Sequence, residues 1–339
     1  MFSTTYSKES PLMLNVSRKQ FLGGMTAAFG WALSGCASAG VSAPAAPSAQ
    51  GPRGIRLRFL GSGASGWEKE WAEKNPSMRR QASALLENRV LIDFTMCSFD
   101  KLPEGCRPEV LFQTHSHGDH YSPTALVKVG VKRLYVHESW ASAAKREVGE
   151  AAARMNLPAP EVIPLAYAKR VREGDLAITP VPANHSTSRV TDGVLERTCL
   201  YLVEKGATRL LYATDTAGIP NDAARMIGID PVVSDKGYAK RFAGNPFVVP
   251  PKAITALVME ATMGNVEEHL CYEAHSGVPT VARLLATLRR FSRYQPPAGQ
   301  SAYVTHLGVR YRGWPSEKID AELPEGIKSA SDGLEVVLN

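Results

Sequence analysis

Short apolar runs and alternating apolar and polar positions recur along the chain from Ile55 onwards, bounded by glycine, proline or charged residues. The first, IRLRFLG, alternates and ends in a glycine turn at Gly61 and Gly63, which predicts a strand. Residues 82–94 predict two strands joined by a turn near Glu87 and Asn88. Further strands are predicted at 109–115, 132–137, 176–183, 198–205, 208–215, 257–262, 301–306 and 332–339.

Apolar residues at helical spacing alternate with these strand patterns. SPTALVKVG (122–130) predicts a short helix, residues 139–155 about four turns, and GVPTVARLLATLRRF (277–291) a strongly amphipathic helix. Strands that alternate with helices favour an α/β sandwich with sheets inside and helices outside. One catalytic domain over residues 54–339 is the simplest division of the body.

The segment before this body reads as an export signal. Arg18 and Lys19 precede an apolar run of about fifteen residues, shorter than the ~20 that span a bilayer as a helix. SRKQFL is similar to the twin-arginine pattern with one arginine replaced by lysine, so the general secretory route stays open. LSGC resembles the bacterial lipobox, which implies lipidation of Cys36. An ordinary signal peptide and an N-terminal membrane anchor are the alternatives.

These features predict three segments and a location. Residues 1–36 would be the signal peptide, and residues 37–53, rich in Ala, Ser and Pro, a flexible linker. The mature protein would be exported, lipid-anchored to a bacterial membrane and exposed to the periplasm.

Composition narrows the function only a little. The chain has 339 residues, 44% of them hydrophobic, and a net charge of +6, which is too small to indicate nucleic-acid binding. None of the five cysteines forms a C-x-x-C pair, and a disulfide between Cys97 and Cys106 is neither required nor excluded.

The strongest chemical signal is QTHSHGDHYSP, residues 113–123, directly after a predicted buried strand. Its three histidines and one aspartate are His115, His117, Asp119 and His120. Imidazole and carboxylate groups are the usual ligands of zinc and similar divalent ions. Packing of a core does not require such a group of polar side chains. The spacing therefore predicts a metal site in which His115 and His117 face one ion and Asp119 and His120 face a second.

This H-x-H-x-D-H sequence resembles that of the metallo-β-lactamase-fold hydrolases, which bind two metal ions in an αββα sandwich. Later positions match in the family's order, each at the end of a predicted strand. The resemblance implies that His185 completes the first ion's ligands, Asp215 bridges the two ions, and His306 completes the second. It implies two divalent ions, with zinc favoured and manganese as the alternative, and an Asp119 that orients the attacking water.

Several motifs resemble the phosphodiesterase branch of that family, which includes ribonuclease Z and the PhnP-like group. They are NPSMRRQASALL before LIDF, EAT at 260–262, AHSG at 274–277 and the closing DGLEVVL. The resemblance makes His275 the residue that assists catalysis as proton donor, with His269 as a competitor. Glu260 is a candidate to hold His275 or a metal ligand in place, or it simply ends its strand. Arg79 and Arg80 are candidate phosphate clamps, or a solvated basic pair.

The sequence therefore predicts an exported hydrolase that cleaves a small phosphodiester, cyclic ones included. Only 29 residues separate His185 from Asp215, too few for the long arm with which ribonuclease Z grips tRNA, so a small-molecule substrate is expected and nucleic acid is not. Lactone, ester or β-lactam hydrolysis is one alternative, and a non-catalytic metal-binding lipoprotein is another. The oligomeric state stays open, a dimer included.

Overall fold

The computed structural model describes residues 54–75, 77–233, 241–266 and 275–339, which form two seven-stranded sheets and the helices that cover them. The predicted signal peptide with Cys36, the linker and His269 lie outside the described residues. No helix in the described ranges is long and apolar enough to cross a membrane.

The first sheet has the strand order β16-β1-β2-β3-β4-β5-β6. Its strands are β1 (Ile55–Gly61), β2 (Ser83–Leu86), β3 (Val90–Ile92), β4 (Val110–Phe112), β5 (Arg133–His137), β6 (Glu161–Leu165) and β16 (Glu335–Leu338). Pairing is antiparallel from β16 to β3 and parallel from β3 to β6.

The second sheet repeats this plan in the order β15-β14-β13-β12-β11-β8-β7. Its strands are β7 (Val171–Glu173), β8 (Leu176–Pro182), β11 (Cys199–Lys205), β12 (Thr208–Ala213), β13 (Ala256–Glu260), β14 (Ala302–Thr305) and β15 (Ile327–Ser329). The strands from β12 to β15 are parallel, and the rest pair antiparallel. A small hairpin of β9 (Val190–Thr191) and β10 (Val194–Leu195) stands apart from both sheets.

Alternation along the strands builds three apolar layers. On β4, Val110 and Phe112 face the other sheet, whereas Leu111 faces the helices outside. On β12, Tyr212 points into the same central layer, and Leu211 points out. Successive side chains of a strand point to opposite faces, so one strand supplies two layers at once.

Helices close both outer faces. They are α1 (Lys69–Lys74), α2 (Pro123–Val129), α3 (Ala141–Met155), α4 (Asn221–Met226), α5 (Val278–Arg290) and α6 (Ser316–Asp320). Residues of α2 and α3 pack on the first sheet, and residues of α4, α5 and α6 pack on the second. Four apolar residues of α5 are buried at helical spacing: Val278, Val281, Leu285 and Leu288. The order is helix, sheet, sheet, helix, which confirms the predicted αββα sandwich.

The predicted strands and helices are present, most of them shortened by a residue or more at one end. Strands β6, β7, β9, β10 and β15 and the short helices α1, α4 and α6 were not predicted. Strand β7 has the sequence VRE, which is too short and too polar for periodicity to detect. The open question about the cysteines is answered, because Cys97 and Cys106 are both free thiols.

Candidate metal centre

Seven predicted ligand side chains converge at one edge of the sandwich, where strands of both sheets end. The loop after β4 carries four of them, and the segments after β8, β12 and β14 carry His185, Asp215 and His306. Two bonds join the sheets beside this loop: Cys199 N donates to Thr114 O at 2.9 Å, and Tyr201 Oη donates to Gln113 O at 2.5 Å. The carboxyl ends of parallel strands meet at one sheet edge, so loops distant in sequence become neighbours.

The first group consists of His115, His117, His185 and Asp215, whose ligand atoms lie within 4.8 Å of one another. His117 Nδ1 is 3.1 Å from His115 Nε2 and 3.2 Å from His185 Nε2. Asp215 Oδ2 is 3.2 Å from His115 Nε2 and 3.6 Å from His185 Nε2. Ligands of a tetrahedral zinc ion stand about 3.3–3.4 Å apart, because each lies about 2.0–2.1 Å from the metal. The four atoms therefore have the spacing of a tetrahedral metal site.

The second group consists of Asp119, His120 and His306, together with the same Asp215. His306 Nε2 lies 3.1 Å from His120 Nε2, 3.3 Å from Asp119 Oδ2 and 3.1 Å from Asp215 Oδ1. Among the described residues, Asp215 Oδ1 is buried without a hydrogen-bond partner. A buried carboxylate oxygen without a hydrogen bond is costly, and a cation would satisfy it. The donor set therefore fits divalent metal on both sides of Asp215.

Residues that do not face this centre orient the ligands. Asp93 Oδ2 lies 2.7 Å from His120 Nδ1, and the Asp93 carboxylate also accepts from Thr114 N, Thr114 Oγ1 and Gln113 Nε2. Thr114 Oγ1 lies 3.0 Å from His115 Nδ1. With its outer nitrogen bonded in this way, each ring presents Nε2 to the centre, the arrangement typical of metal-binding histidines.

Burial and neighbouring charge set the protonation of these groups. Burial raises the pKa of Asp93 above its usual range, although the nearby His120 opposes the shift. Burial, with the nearby His120 and His185, lowers the pKa of His115 to about 3, despite the hydrogen bond to Asp215. His115 is therefore neutral at physiological pH, the form in which imidazole binds metal.

Backbone geometry at the strand ends is unusual. Asp93, Asp215 and His306 have φ values of 54°, 46° and 50°. Only a few per cent of non-glycine residues have positive φ, and holding one there costs of order 1–3 kcal/mol. Three such residues within one cluster indicate that the fold holds strained turns which direct these side chains inward.

His275 and Glu260 stand beside the second group. The Glu260 carboxylate is fully buried and lies 3.0 Å from His275 Nδ1, and it also accepts from Thr216 N and Thr262 Oγ1. Thr262 Oγ1 lies 2.7 Å from His306 Nδ1, so one carboxylate supports two histidines. Burial acts to lower the pKa of His275, but the hydrogen bond and charge of Glu260 outweigh it and raise that pKa. The His275 ring is 5.1 Å from that of His185, between centroids, and its side chain is 24% exposed.

The two arginines have different surroundings. Arg79 is 8% exposed, and its guanidinium donates to Ser62 Oγ at 2.8 Å, Ser316 Oγ at 3.0 Å and Ala330 O. Arg80 donates from Nε to Asp100 Oδ1 at 2.7 Å and from Nη1 to Asp332 Oδ2 at 3.3 Å. Both guanidinium groups are thus bonded to acceptors of the chain itself. Their role as phosphate clamps stays a prediction.

Three residues that support the centre were not predicted to do so: Asp93, Thr262 and Glu196. Asp93 had a signal, an acidic residue at the end of the apolar strand beside the histidine loop, and Thr262 lies in the EAT motif at 260–262. Glu196 had no signal, because it meets the histidine loop only through the tertiary fold.

Comparisons with known proteins agree with this geometry. The sequence profile of the beta-lactamase superfamily domain matches residues 92–282, more than half of the chain. The chain therefore belongs to the metallo-β-lactamase superfamily, whose members are in general metal-dependent hydrolases.

Two solved structures share the fold at low sequence identity. Zn²⁺-bound PqqB from Methylobacterium extorquens superposes with a TM-score of 0.54 at 17% identity, covering 84% of this chain and 100% of that one. The metallo-beta-lactamase fold protein YhfI from Bacillus subtilis gives 0.50 at 11% identity, covering 83% and 99%. A comparison with curated protein sequences found no significant match.

Proposed function

We propose that this protein is a hydrolase with two divalent metal ions, zinc in the first instance, that cleaves a small-molecule phosphodiester. His115, His117 and His185 would hold one ion, and Asp119, His120 and His306 the other. The observation that carries the proposal is the shared carboxylate: Asp215 Oδ2 lies 3.2 Å from His115 Nε2 and 3.3 Å from His120 Nε2. A zinc ion bound to PqqB, a protein of the same fold, supports the choice of metal.

The chemistry then divides between metal and protein. Divalent ions at such a centre lower the pKa of water towards about 7 and stabilise charge on phosphoryl oxygens. Asp119 is 15% exposed at its side chain, more than Asp215, His120 or His306, so its carboxylate faces the open side of the cluster and can orient the attacking water.

His275 is the proton donor in this proposal. An alkoxide is a strong base, so its departure from phosphorus requires a proton from a positioned acid. Glu260 holds His275 in place through Nδ1 and keeps its proton bound by raising its pKa. The same pair would also serve a lactone or ester, whose leaving oxygen needs a proton as well.

A substrate panel tests the bond that is cleaved. Purified protein with measured metal content would be assayed on bis(p-nitrophenyl) phosphate, on a cyclic nucleotide phosphodiester, and on lactone and β-lactam substrates. Phosphodiester hydrolysis that is lost on chelation and restored by zinc or manganese is the expected result. Lactone or β-lactam turnover without phosphodiester cleavage would contradict the proposed substrate class, and a native protein without metal would contradict the mechanism.

We also propose that the enzyme is exported and anchored by a lipid on Cys36, from the basic pair, the apolar run and LSGC. Expression in a bacterial host with a radiolabelled fatty acid should label the wild-type chain in the membrane fraction. Cys36→Ala should lose the label, whereas Cys106→Ala, which changes another single thiol, should keep it. An unlabelled wild-type chain would contradict the anchor but leave the hydrolase proposal intact.

A further inference from the structure

A carboxylate outside the metal centre bonds to the backbone between two of its histidines. Glu196 follows the β9–β10 hairpin and is only 3% exposed. Its Oε1 accepts from Ser116 N at 2.8 Å, and its Oε2 accepts from Ser116 Oγ and, at 2.9 Å, from Thr187 Oγ1. Ser116 lies between His115 and His117, and both its backbone N–H and its hydroxyl donate to this one carboxylate.

The hairpin does not need this carboxylate for its own attachment. The Arg189 guanidinium pairs with Glu147 and lies over the Trp140 ring, 5.6 Å from its centroid. Ser142 Oγ donates to Asp192 Oδ2 at 2.5 Å, and Arg197 N donates to Ser139 Oγ at 2.9 Å. These contacts fix the hairpin and its flanking residues to the segment from Ser139 to α3, and none of them involves Ser116.

The loop of the two histidines depends more on Glu196. Their rings must hold Nε2 of His115 and Nδ1 of His117 about 3 Å apart, and the distance is 3.1 Å here. A turn of the intervening peptide would move both rings at once, and the Glu196 carboxylate restrains that peptide through both Ser116 donors. Burying a carboxylate is costly unless it is well bonded, so its place here needs a reason beyond packing.

We infer that Glu196 is a positioning residue, which holds His115 and His117 in ligating geometry through its two bonds to Ser116. The inference rests on the proposed metal site. It deepens that proposal, because the bonds between Glu196 and Ser116, and not the attachment of the hairpin, would set the metal affinity of the first group.

Zinc affinity provides the test, since a residue that only anchors the hairpin would not change it. The dissociation constants of both zinc ions would be measured by competition with a chromophoric chelator for the wild type, Glu196→Gln, Ser116→Ala and the double variant. Glu196→Gln should weaken zinc binding at the first site by about 10–100-fold, the usual effect of losing a group that orients a ligand. Ser116→Ala keeps the peptide N–H, so it should weaken zinc binding less than Glu196→Gln does. The double variant should lose less affinity than the two single losses combined, because both variants remove the same bond.

Glu147→Gln is the matched control, because it weakens the hairpin at Arg189 without touching Ser116. It should leave both zinc affinities at the wild-type value. Two results would overturn the inference: unchanged zinc affinity in Glu196→Gln, or a loss of affinity in Glu147→Gln equal to that in Glu196→Gln. In either case, zinc binding by the wild type would still support the proposed function. A wild type without zinc would overturn both. Should Glu196→Gln fail to fold, Ser116→Ala with wild-type affinity would still refute the inference.

Discussion

Two polar clusters predicted to act on substrate differ in where their polar atoms point. In the metal centre, nitrogen and oxygen atoms of His115, His120 and Asp215 face one another at 3.2–3.3 Å, and Asp215 Oδ1 has no hydrogen-bond partner among the described residues. Around Arg79, the guanidinium donates to two serine hydroxyls and a carbonyl. The first cluster has donor atoms spaced to hold a cation, whereas the second has most of its donors bonded to the chain, with only Arg79 Nε lacking a partner among the described residues.

This comparison shows what residue type alone leaves undecided. Histidines after a strand and arginines before one are both typical of catalytic sites. The surroundings separate them: groups that converge with unmet bonding capacity indicate a ligand, and groups that bond to neighbours indicate a structural role. Five predictions test this difference, from the largest expected effect on activity to effects on stability alone.

The largest effect is expected from His117→Ala. Removing one ligand of the first group should reduce hydrolysis to the background rate and lower the metal content by about one ion per chain, since three donors hold zinc much less tightly than four. Activity and metal analysis on the same sample would measure this, with circular dichroism to verify folding. Undiminished hydrolysis would place the reaction outside the cluster.

His275→Asn should reduce kcat about 10²–10⁴-fold on an alkyl phosphodiester and leave the metal content unchanged, because in the proposed mechanism this ring donates a proton and is a ligand of neither ion. Loss of metal would instead assign His275 to the group of possible ligands that it forms with Asp215 and His306. The loss should be far smaller on bis(p-nitrophenyl) phosphate, whose leaving group departs without a proton. His137→Asn, a histidine outside the cluster, should have wild-type kcat. Equal losses on both substrates would show that His275 is not the acid.

The pH profile of kcat sharpens the same assignment. Rate should fall as pH rises through the pKa of His275, because only its protonated form donates. Glu260 raises that pKa, so Glu260→Gln should shift the fall to lower pH. A profile unchanged by Glu260→Gln would assign the alkaline limb to another group.

Arg79→Met should affect stability more than catalysis. It leaves the buried acceptors of Ser62 and Ala330 and the partly buried hydroxyl of Ser316 without this donor, which costs about 1–3 kcal/mol in the free energy of unfolding. Urea denaturation would measure this, with the exposed Arg154→Met on α3 as control, expected to change stability by no more than about 0.5 kcal/mol. Unchanged stability with a raised KM would instead support the phosphate clamp predicted from the sequence.

The last prediction concerns a change in stability that is confined to acid pH, at His137, which ends β5 outside the metal cluster. Burial, with the charge of Arg197, lowers its pKa from 6.5 to about 4, and its Nδ1 accepts from Ser139 N at 3.1 Å. Between these two values the unfolded chain binds a proton that the folded chain does not, so stability falls as pH drops from about 6.5 to 4, by about 3 kcal/mol.

His137→Asn keeps an acceptor at the same place and removes the titration, so its unfolding free energy should vary less with pH over that window. Chemical denaturation at several pH values would compare the two chains. The same slope in both would show that another group causes the acid sensitivity.

Much of the fold and of the ligand set could be predicted because both have local signals. Alternation identified β1, β4, β11 and β12, and H-x-H-x-D-H places four donors within six residues. The β9–β10 hairpin had a signal that went unused, an Asp-Gly turn at 192–193 between short apolar pairs. Arg79 could not be interpreted, because its acceptors at Ser316 and Ala330 lie more than 230 residues away.

The sequence by itself predicted an α/β sandwich and a metal-binding loop, because strand periodicity and ligand spacing are properties of neighbouring residues. The resemblance to the metallo-β-lactamase-fold hydrolases implied the αββα order and the three later candidate ligands. Only the tertiary structure decided which polar residues support that centre. Glu196 meets Ser116 from 80 positions away, and Thr262 meets His306 from 44. A hydrogen bond depends on distance in space. The packing of the two sheets brings these groups together, and no local pattern in the sequence predicts their contact.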